Sequence, residues 1–388
     1  MDDPADILKN ADSRGLRRVL IVTALPLERD AVRAHFTEIG TCVGEDDRLY
    51  DCFEYHCGGK EDAAAQGWLV VVAESGAGTH VAQSAVLLAH QMFKPFELIL
   101  FVGVAASRKK DIPNGSVVVS DRIYYAHVGK YEEGSFHNRP RLYNVSANLK
   151  MLATWVIREN GWQNRVRPID GWKPPEDEKY VSLFTVAPIA KIAGIVTVEA
   201  VSADITSELE KNIEAHYQDA HALEMEGYGA AMGADAVKTP IIVIRGISDM
   251  RKDKTPEDDA IYQPVAAMNA AAFGVRLLDE WSDRHQPQPV ALQPMAQAQA
   301  TTEDPAPAPA GRTVFNLDAE IENLSEEQLE RIVETIRQRT GKPSAYWQHR
   351  RPIEYGETSY RGGRPLLECG STAALREICD RSWAGLFG

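Results

Sequence analysis

Long apolar runs are missing from this chain. No stretch approaches the roughly 20 residues a membrane-spanning helix needs, so no membrane partner is expected. Cysteine is scarce. The five cysteines, Cys42, Cys52, Cys57, Cys369 and Cys379, include no CxxC pair, which removes the usual spacing of zinc and redox sites. Free buried thiols in a reducing cytoplasm are the expectation, with no metal and no cofactor. Positive charge is in deficit: 42 Lys and Arg face 56 Asp and Glu, a net charge of −14. That argues against a nucleic-acid partner, although a local basic pocket for one small phosphorylated ligand remains compatible with it. The opening MDDPADILKN is acidic and has no apolar core, so no signal peptide is expected. There is no internal repeat.

What is present suits globular domains with a substantial core: 388 residues, 44% hydrophobic and 25% charged,. The organisation reads as a catalytic domain over 16–284, a Pro/Gln/Ala-rich linker over 285–311 that cannot bury a core, and a small, mainly helical module over 312–388. In that module Leu324-Ser325 with Gln328-Leu329 forms a capping box, and Leu329, Ile332, Val333 and Ile336 recur at helical spacing,.

Within the catalytic domain, buried strands alternate with helices. Residues 1–15 read as a polar arm. Val19-Leu20-Ile21-Val22-Thr23-Ala24 is a continuous apolar strand; Leu25-Pro26-Leu27-Glu28 then turns into a helix running to about Phe36,. Aromatics in 40–66 suggest a hairpin. The strand 67–73 ends in Glu74-Ser75-Gly76-Ala77-Gly78-Thr79, a glycine-rich turn whose N–H groups can approach an anion or a sugar oxygen,; a tight turn needing positive φ is its plain alternative. A third strand, 97–106, carries Phe101-Val102-Gly103-Val104, and a turn at 111–116 leads into the strand 117–121. The aromatic, basic stretch 124–141 reads either as a substrate-side loop, with Lys130, Arg139 and Arg141 available to a 5′-phosphate, or as a solvated surface loop. Helices are expected over 145–160, 204–216 and 256–281, and short apolar runs around 186–190 and 194–198.

Residues 221–249, HALEMEGYGAAMGADAVKTPIIVIRGISD, carry the strongest signal. A helix pattern begins near Glu224. The buried strand Ile241–Ile244 then leads to Arg245-Gly246-Ile247-Ser248-Asp249, which puts Asp249 at the carboxyl end of a strand, where open α/β sheets bind ligands. Glu226 opens the preceding helix, and Glu28 follows another strand's carboxyl end. Each acid also has an ordinary structural role, as a first-turn acid or a cap.

Taken together, the Met-Glu pair opening a helix and the Arg-x-Ile-Ser-Asp after a strand resemble the nucleoside phosphorylase superfamily, and within it the methylthioadenosine/S-adenosylhomocysteine nucleosidases. The resemblance implies an α/β fold, a three-layer αβα sandwich with a mixed central sheet. It also implies hydrolysis of the N-glycosidic bond of a purine, adenine by expectation, in a nucleoside or nucleotide. In the roles it implies, Glu28 holds and activates water, Asp249 protonates N7 with Ser248 orienting it, and Glu226 bonds the ribose hydroxyls. Met225 lies beneath the sugar, Gly76 and Gly103 line the site, and Ile195 and Val196 flank the base. Arg139 is the candidate contact to a 5′-phosphate. Such proteins build sites at subunit contacts, so a homo-oligomer is expected.

The phosphorylases of the superfamily carry Gly-x-Pro-x-Arg in the first loop and Arg-Val-Gly-Ser/Thr where this chain has Phe101-Val102-Gly103-Val104. The missing arginines favour water over phosphate as nucleophile. The usual Ile-Ala-Ser-Gly-Asp is matched here to Ile189-Ala190-Lys191-Ile192-Ala193, without its Ser and Asp. A phosphate-dependent phosphorylase and an inactive nucleoside-binding sensor are the alternatives. The appended module resembles the arrangement of bacterial conflict-system effectors. By that analogy the chain is an antiphage effector depleting nucleotides, with the module recruiting a protein partner.

Overall fold

The computed structural model describes residues 1–44, 46–57, 67–132, 135–199, 208–250 and 255–285. They belong to one compact unit, Met1–Ala291. The linker from residue 286 and the module expected over 312–388 lie outside the described residues.

The chain opens with α1 (Pro4–Ser13), not a polar arm. The Asp3 side chain accepts from Ala5 N at 2.8 Å and Pro4 starts the first turn, while Ile7 and Ala11, four apart, bury one face,. Then come β1 (Arg17–Thr23), α2 (Pro26–Arg33), the hairpin β2 (Thr37–Val43) and β3 (Leu49–Tyr55), β4 (Trp68–Glu74), α3 (Thr79–Phe93), β5 (Leu98–Ser107) and β6 (Val117–Tyr125). The stretch expected as a loop is instead three short strands, β7 (Gly129–Glu132), β8 (Ser135–Asn138) and β9 (Arg141–Asn144). Of these, β9 pairs antiparallel with β6, placing Arg141 opposite Tyr125. After α4 (Ala147–Glu159) and the short α5 (Ser182–Thr185), the two apolar runs prove to be one strand, β10 (Ala190–Thr197). The last elements are α6 (Glu208–His216), β11 (Ala220–Glu224), α7 (Gly227–Ala236), β12 (Ile241–Asp249) and α8 (Pro256–Arg284). The helix expected to begin near Glu224 therefore starts at Gly227. Residues 220–224 are a strand because two neighbours, β10 and β5, offer them ladder partners.

The sheet order is β11-β10-β6-β12-β5-β1-β4-β3-β2. Strands β4, β1, β5 and β12 run parallel as one block. Antiparallel to β12 is β6, and β10 and β11 run parallel to β6 as a second block. The end of β11 then returns onto the end of β5, with Ala222 opposite Ser107 and Leu223 opposite Ala106. The carboxyl ends of two opposed blocks thus overlap at one place, which is where the acids gather.

Both faces of the sheet are covered. Alternation along β1 sends Leu20 and Val22 into a core shared with Ala82, Ala85 and Val86 of α3 and Ala230 and Ala231 of α7. Val19 and Ile21 enter the opposite core, with Ala31 of α2, Leu149 and Leu152 of α4 and Phe273 and Leu277 of α8,. This is the three-layer αβα arrangement with a mixed central sheet. Among the described residues no helix is long and apolar enough to cross a membrane.

Candidate active site

Arg245 lies at the centre. It interrupts the apolar strand β12, is 0% exposed, and rests its guanidinium 4.2 Å from the Phe101 ring centroid. A buried guanidinium needs carboxylates, and three converge on it. Glu224 pairs directly with Nη2, Glu226 Oε2 lies 3.4 Å from the same nitrogen, and Glu28 Oε1 lies 4.0 Å from Nη1. Among the described residues, Nη1 and Nε have no hydrogen-bond partner.

Glu28 reaches the centre because Pro26 starts α2 directly after β1. Its Oε2 accepts from Ala24 N at 2.7 Å and Leu25 N at 3.0 Å, and its Oε1 accepts from Val104 N at 2.7 Å. One oxygen holds the helix entry and the other faces Arg245. Burial raises its pKa, against the pull of Arg245 and of the three N–H donors.

Glu226 occupies the N-cap position of α7, yet its side chain does not cap that helix. Its Oε1 instead accepts from Gly78 N at 3.1 Å, in the glycine-rich turn before α3. Burial pushes its pKa up to about 7, with Arg245 opposing and Glu224 reinforcing. Beside it, the Met225 carbonyl accepts from Thr79 Oγ1 at 3.3 Å, so the turn and the Met-Glu pair are tied together. Gly76 sits in that turn at φ +79°, in the left-handed region that favours glycine.

Gly103 has a steric duty. A Cβ there would lie 2.2 Å from Arg245 Nη1 and 2.5 Å from Glu28 Oε1. The strand is bare at this residue so that the cation and the acid can meet across it.

Four residues beyond Arg245, β12 ends at Asp249, opposite Ala106 near the end of β5. A register shift between Ile247 and Asp249 re-aims the strand end,. Ser248 is buried and its hydroxyl lies 3.4 Å from Asp249 Oδ2. The structure thus brings Glu28 and Glu226 onto one arginine and puts Ser248 and Asp249 at the end of that arginine's strand.

Other expected positions lie elsewhere. Ile195 and Val196, the last two residues of β10 before Thr197, are both 0% exposed and pack into the core. Arg139 is exposed, its N–H held by Val128 O at 2.7 Å beside the β7–β8 hairpin, and is not among the groups around Arg245. The strand end near the acids is Thr197, followed by Val198 and Glu199. Thr197 and Glu199 supply a hydroxyl and a carboxylate two residues apart, the spacing of Ser and Asp in Ile-Ala-Ser-Gly-Asp, so Ile195–Glu199 fits that string better than residues 189–193.

Three members of the cluster were missing from the sequence-based site: Arg245, Glu224 and Thr197. One signal was available. Ile241–Ile247 is apolar apart from Arg245 and Gly246, and a charge inside a buried strand has to be matched. Nothing local marked Thr197 as the partner of Glu224.

The mixed sheet, closed where two blocks of strand ends overlap around an arginine and three acids, is the fold of the nucleoside phosphorylase-like proteins by comparison. Residues 18–279 match the model of the phosphorylase superfamily, and the chain belongs to that family. It is 27% identical over 267 residues to the ATP nucleosidase Cap17 of Escherichia coli, covering 65% of this chain and 49% of that protein. It therefore spans about half the length of the curated relatives it matches first. It is also 25% identical over 213 residues to a 5′-methylthioadenosine/S-adenosylhomocysteine nucleosidase of Listeria monocytogenes, covering 54% of this chain and 81% of that enzyme. Among solved structures, the adenine complex of the nucleosidase of that type from Colwellia psychrerythraea has the same fold. Its TM-score is 0.52 at 20% identity, over 68% of this chain and 96% of that one.

Proposed function

We propose that the chain hydrolyses the N-glycosidic bond of a purine nucleoside or nucleotide, with adenine as the favoured base. One observation carries this: Glu28 and Glu226, from opposite ends of the domain's sequence, meet on the buried Arg245, with Glu226 3.4 Å and Glu28 4.0 Å from its guanidinium nitrogens. The relatives named as nucleosidases support the same reading.

In this mechanism the substrate's ribose hydroxyls bond Glu226. Water lies between Glu28 and the Nη1 donor of Arg245, so its lone pair faces C1′ while Glu28 accepts a proton from it. The C1′–N9 bond breaks with its electron pair going to the base, and Asp249 gives a proton to N7, so the base leaves neutral. The cation developing on the sugar is stabilised by the excess of carboxylate over guanidinium in a site from which bulk water is excluded. Water's oxygen ends on C1′.

The likeness to an ATP nucleosidase favours a nucleotide over a free nucleoside. A nucleotide-depleting effector role for the whole protein, a homo-oligomer and a partner for residues 312–388 belong to the same proposal.

The test is incubation with adenosine, methylthioadenosine, AMP and ATP, with and without phosphate, following free base. Base release without phosphate is expected. Strict dependence on phosphate would replace the nucleosidase by the phosphorylase, and retained binding without release of base would replace it by the sensor.

A further inference from the structure

Glu224 is the most fully bonded acid of the cluster, and it stands outside the catalytic roles of Glu28, Glu226 and Asp249. Its Oε2 accepts from the N–H groups of Glu226 at 3.0 Å and Gly227 at 2.6 Å, and pairs with Arg245 Nη2. Its Oε1 is bonded by the Thr197 hydroxyl. That hydroxyl has a fixed direction. Thr197 Oγ1 already accepts the N–H of Tyr228 at 2.9 Å, so its own hydrogen points to Glu224. In each of these four hydrogen bonds Glu224 is the acceptor.

Glu226 is placed differently. The charged or polar groups facing it are Arg245 from β12, Glu224 from β11, Glu28 from α2 and the Gly78 N–H from the turn before α3. One guanidinium serves three buried acids, and Glu224 has the closest claim on the nitrogen that Glu226 shares. The second acid is then left without a full counter-charge, next to a like charge in a site of low polarity.

We propose that Glu224 is a positioning residue: locked by the Thr197 hydroxyl, it takes up the charge of Arg245 and so keeps a proton available to Glu226. The inference rests on the reading of Glu226 as the ribose-bonding acid. In the protonated form Glu226 both donates and accepts, matching two adjacent hydroxyls that can each do the same. The raised pKa of Glu226 agrees with this placement.

The test is an infrared titration of the full chain that follows the protonated-carboxyl band lost in Glu226→Gln, alongside the pH profile of base release. In the native protein that band is expected to titrate at about 7. In Glu224→Gln, Arg245 is released to Glu226, and the midpoint moves down by about one pH unit or more. Thr197→Val moves it in the same direction by less, and Thr197→Ser restores it. Circular dichroism establishes which variants are folded. If Glu224→Gln does not fold, the Thr197 pair decides. An unchanged Glu226 midpoint in the folded variants overturns the proposal. A shifted band in a protein that releases no base from any substrate would leave this assignment standing while removing the nucleosidase reading.

Discussion

Arg245 and Glu28 face each other across 4.0 Å through a gap in β5 that exists because residue 103 is glycine. A methyl group there cannot be absorbed by a flexible chain end. Both groups it would strike are buried and held, Arg245 by Glu224 and Glu28 by three backbone N–H groups. Gly103→Ala is therefore expected to cost about 1–3 kcal/mol of stability, typical of overpacking. It should also lower base release by more than the folded fraction explains, because Glu28 is displaced. Urea denaturation and initial rates on the same sample check both parts; native-like values for both would remove the steric role of Gly103.

Asp249→Asn tests the acid directly. The strand end keeps its length and shape, so the circular dichroism spectrum and melting temperature should stay close to those of the native protein. An amide cannot give its proton to N7, so base release should fall by about 10²–10⁴-fold, the usual contribution of general acid catalysis. Ser248→Ala should fall far less, since its hydroxyl reaches Asp249 Oδ2 only at the long distance of 3.4 Å. Equal rates for native protein and Asp249→Asn would remove Asp249 as the acid.

Much of this was legible before the fold was known, for reasons that can be named. Continuous apolar runs such as Val19–Ala24 and Ile241–Ile244 mark strands covered on both faces, and the strand ends locate Glu28 and Asp249. The closure of the sheet was not legible. Ala220–Glu224 is five residues long, too short for its periodicity to separate strand from helix, and only its pairing with β10 and β5 makes it a strand. Because Glu224 ends that strand, its place in the cluster depended on the same long-range pairing. The division of β10 into two runs was a related misreading: the apolar stretches around 186–190 and 194–198 do not show that residues 190–197 form one strand, which only the pairing with β6 and β11 settles.

The buried acids also make stability depend on pH in a sense opposite to a surface ion pair. Burial pushes Glu226 from its ordinary value of 4.5 up to about 7 in the folded protein. Between those values the folded state holds a proton that the unfolded state has lost. Stability from this group is complete below about pH 4.5 and is lost as pH rises through about 7, amounting to ~3 kcal/mol across the window. Glu28, also raised by burial, acts in the same direction. Glu226→Gln removes one such group. Relative to native protein, the variant should therefore gain stability at pH 8 compared with pH 5. Unfolding free energies in urea at the two pH values measure the difference, and a variant that gains nothing at pH 8 would rule out a raised titration of Glu226.

Arg245 is the residue whose loss should be felt most widely. Replacing it by Met keeps the length and much of the packing on Phe101, but leaves Glu224, Glu226 and Glu28 as buried acids without a cation. Breaking a buried pair in this way costs about 3–5 kcal/mol, because the remaining charges are uncompensated. The cost should shrink at acid pH, where the carboxyls take up protons. Arg245→Met should therefore be closest to native stability near pH 5 and progressively less stable towards pH 8. Arg245→Lys tests geometry against charge. An ammonium retains the charge but cannot hold Glu224 with one nitrogen while turning a second towards Glu28. It should recover most of the stability and little of the base release. Melting curves across pH, with rates measured on the folded fraction, separate the two. If Arg245→Lys restored activity as fully as stability, Arg245 would be only a counter-ion, and the water site between it and Glu28 would have to be abandoned.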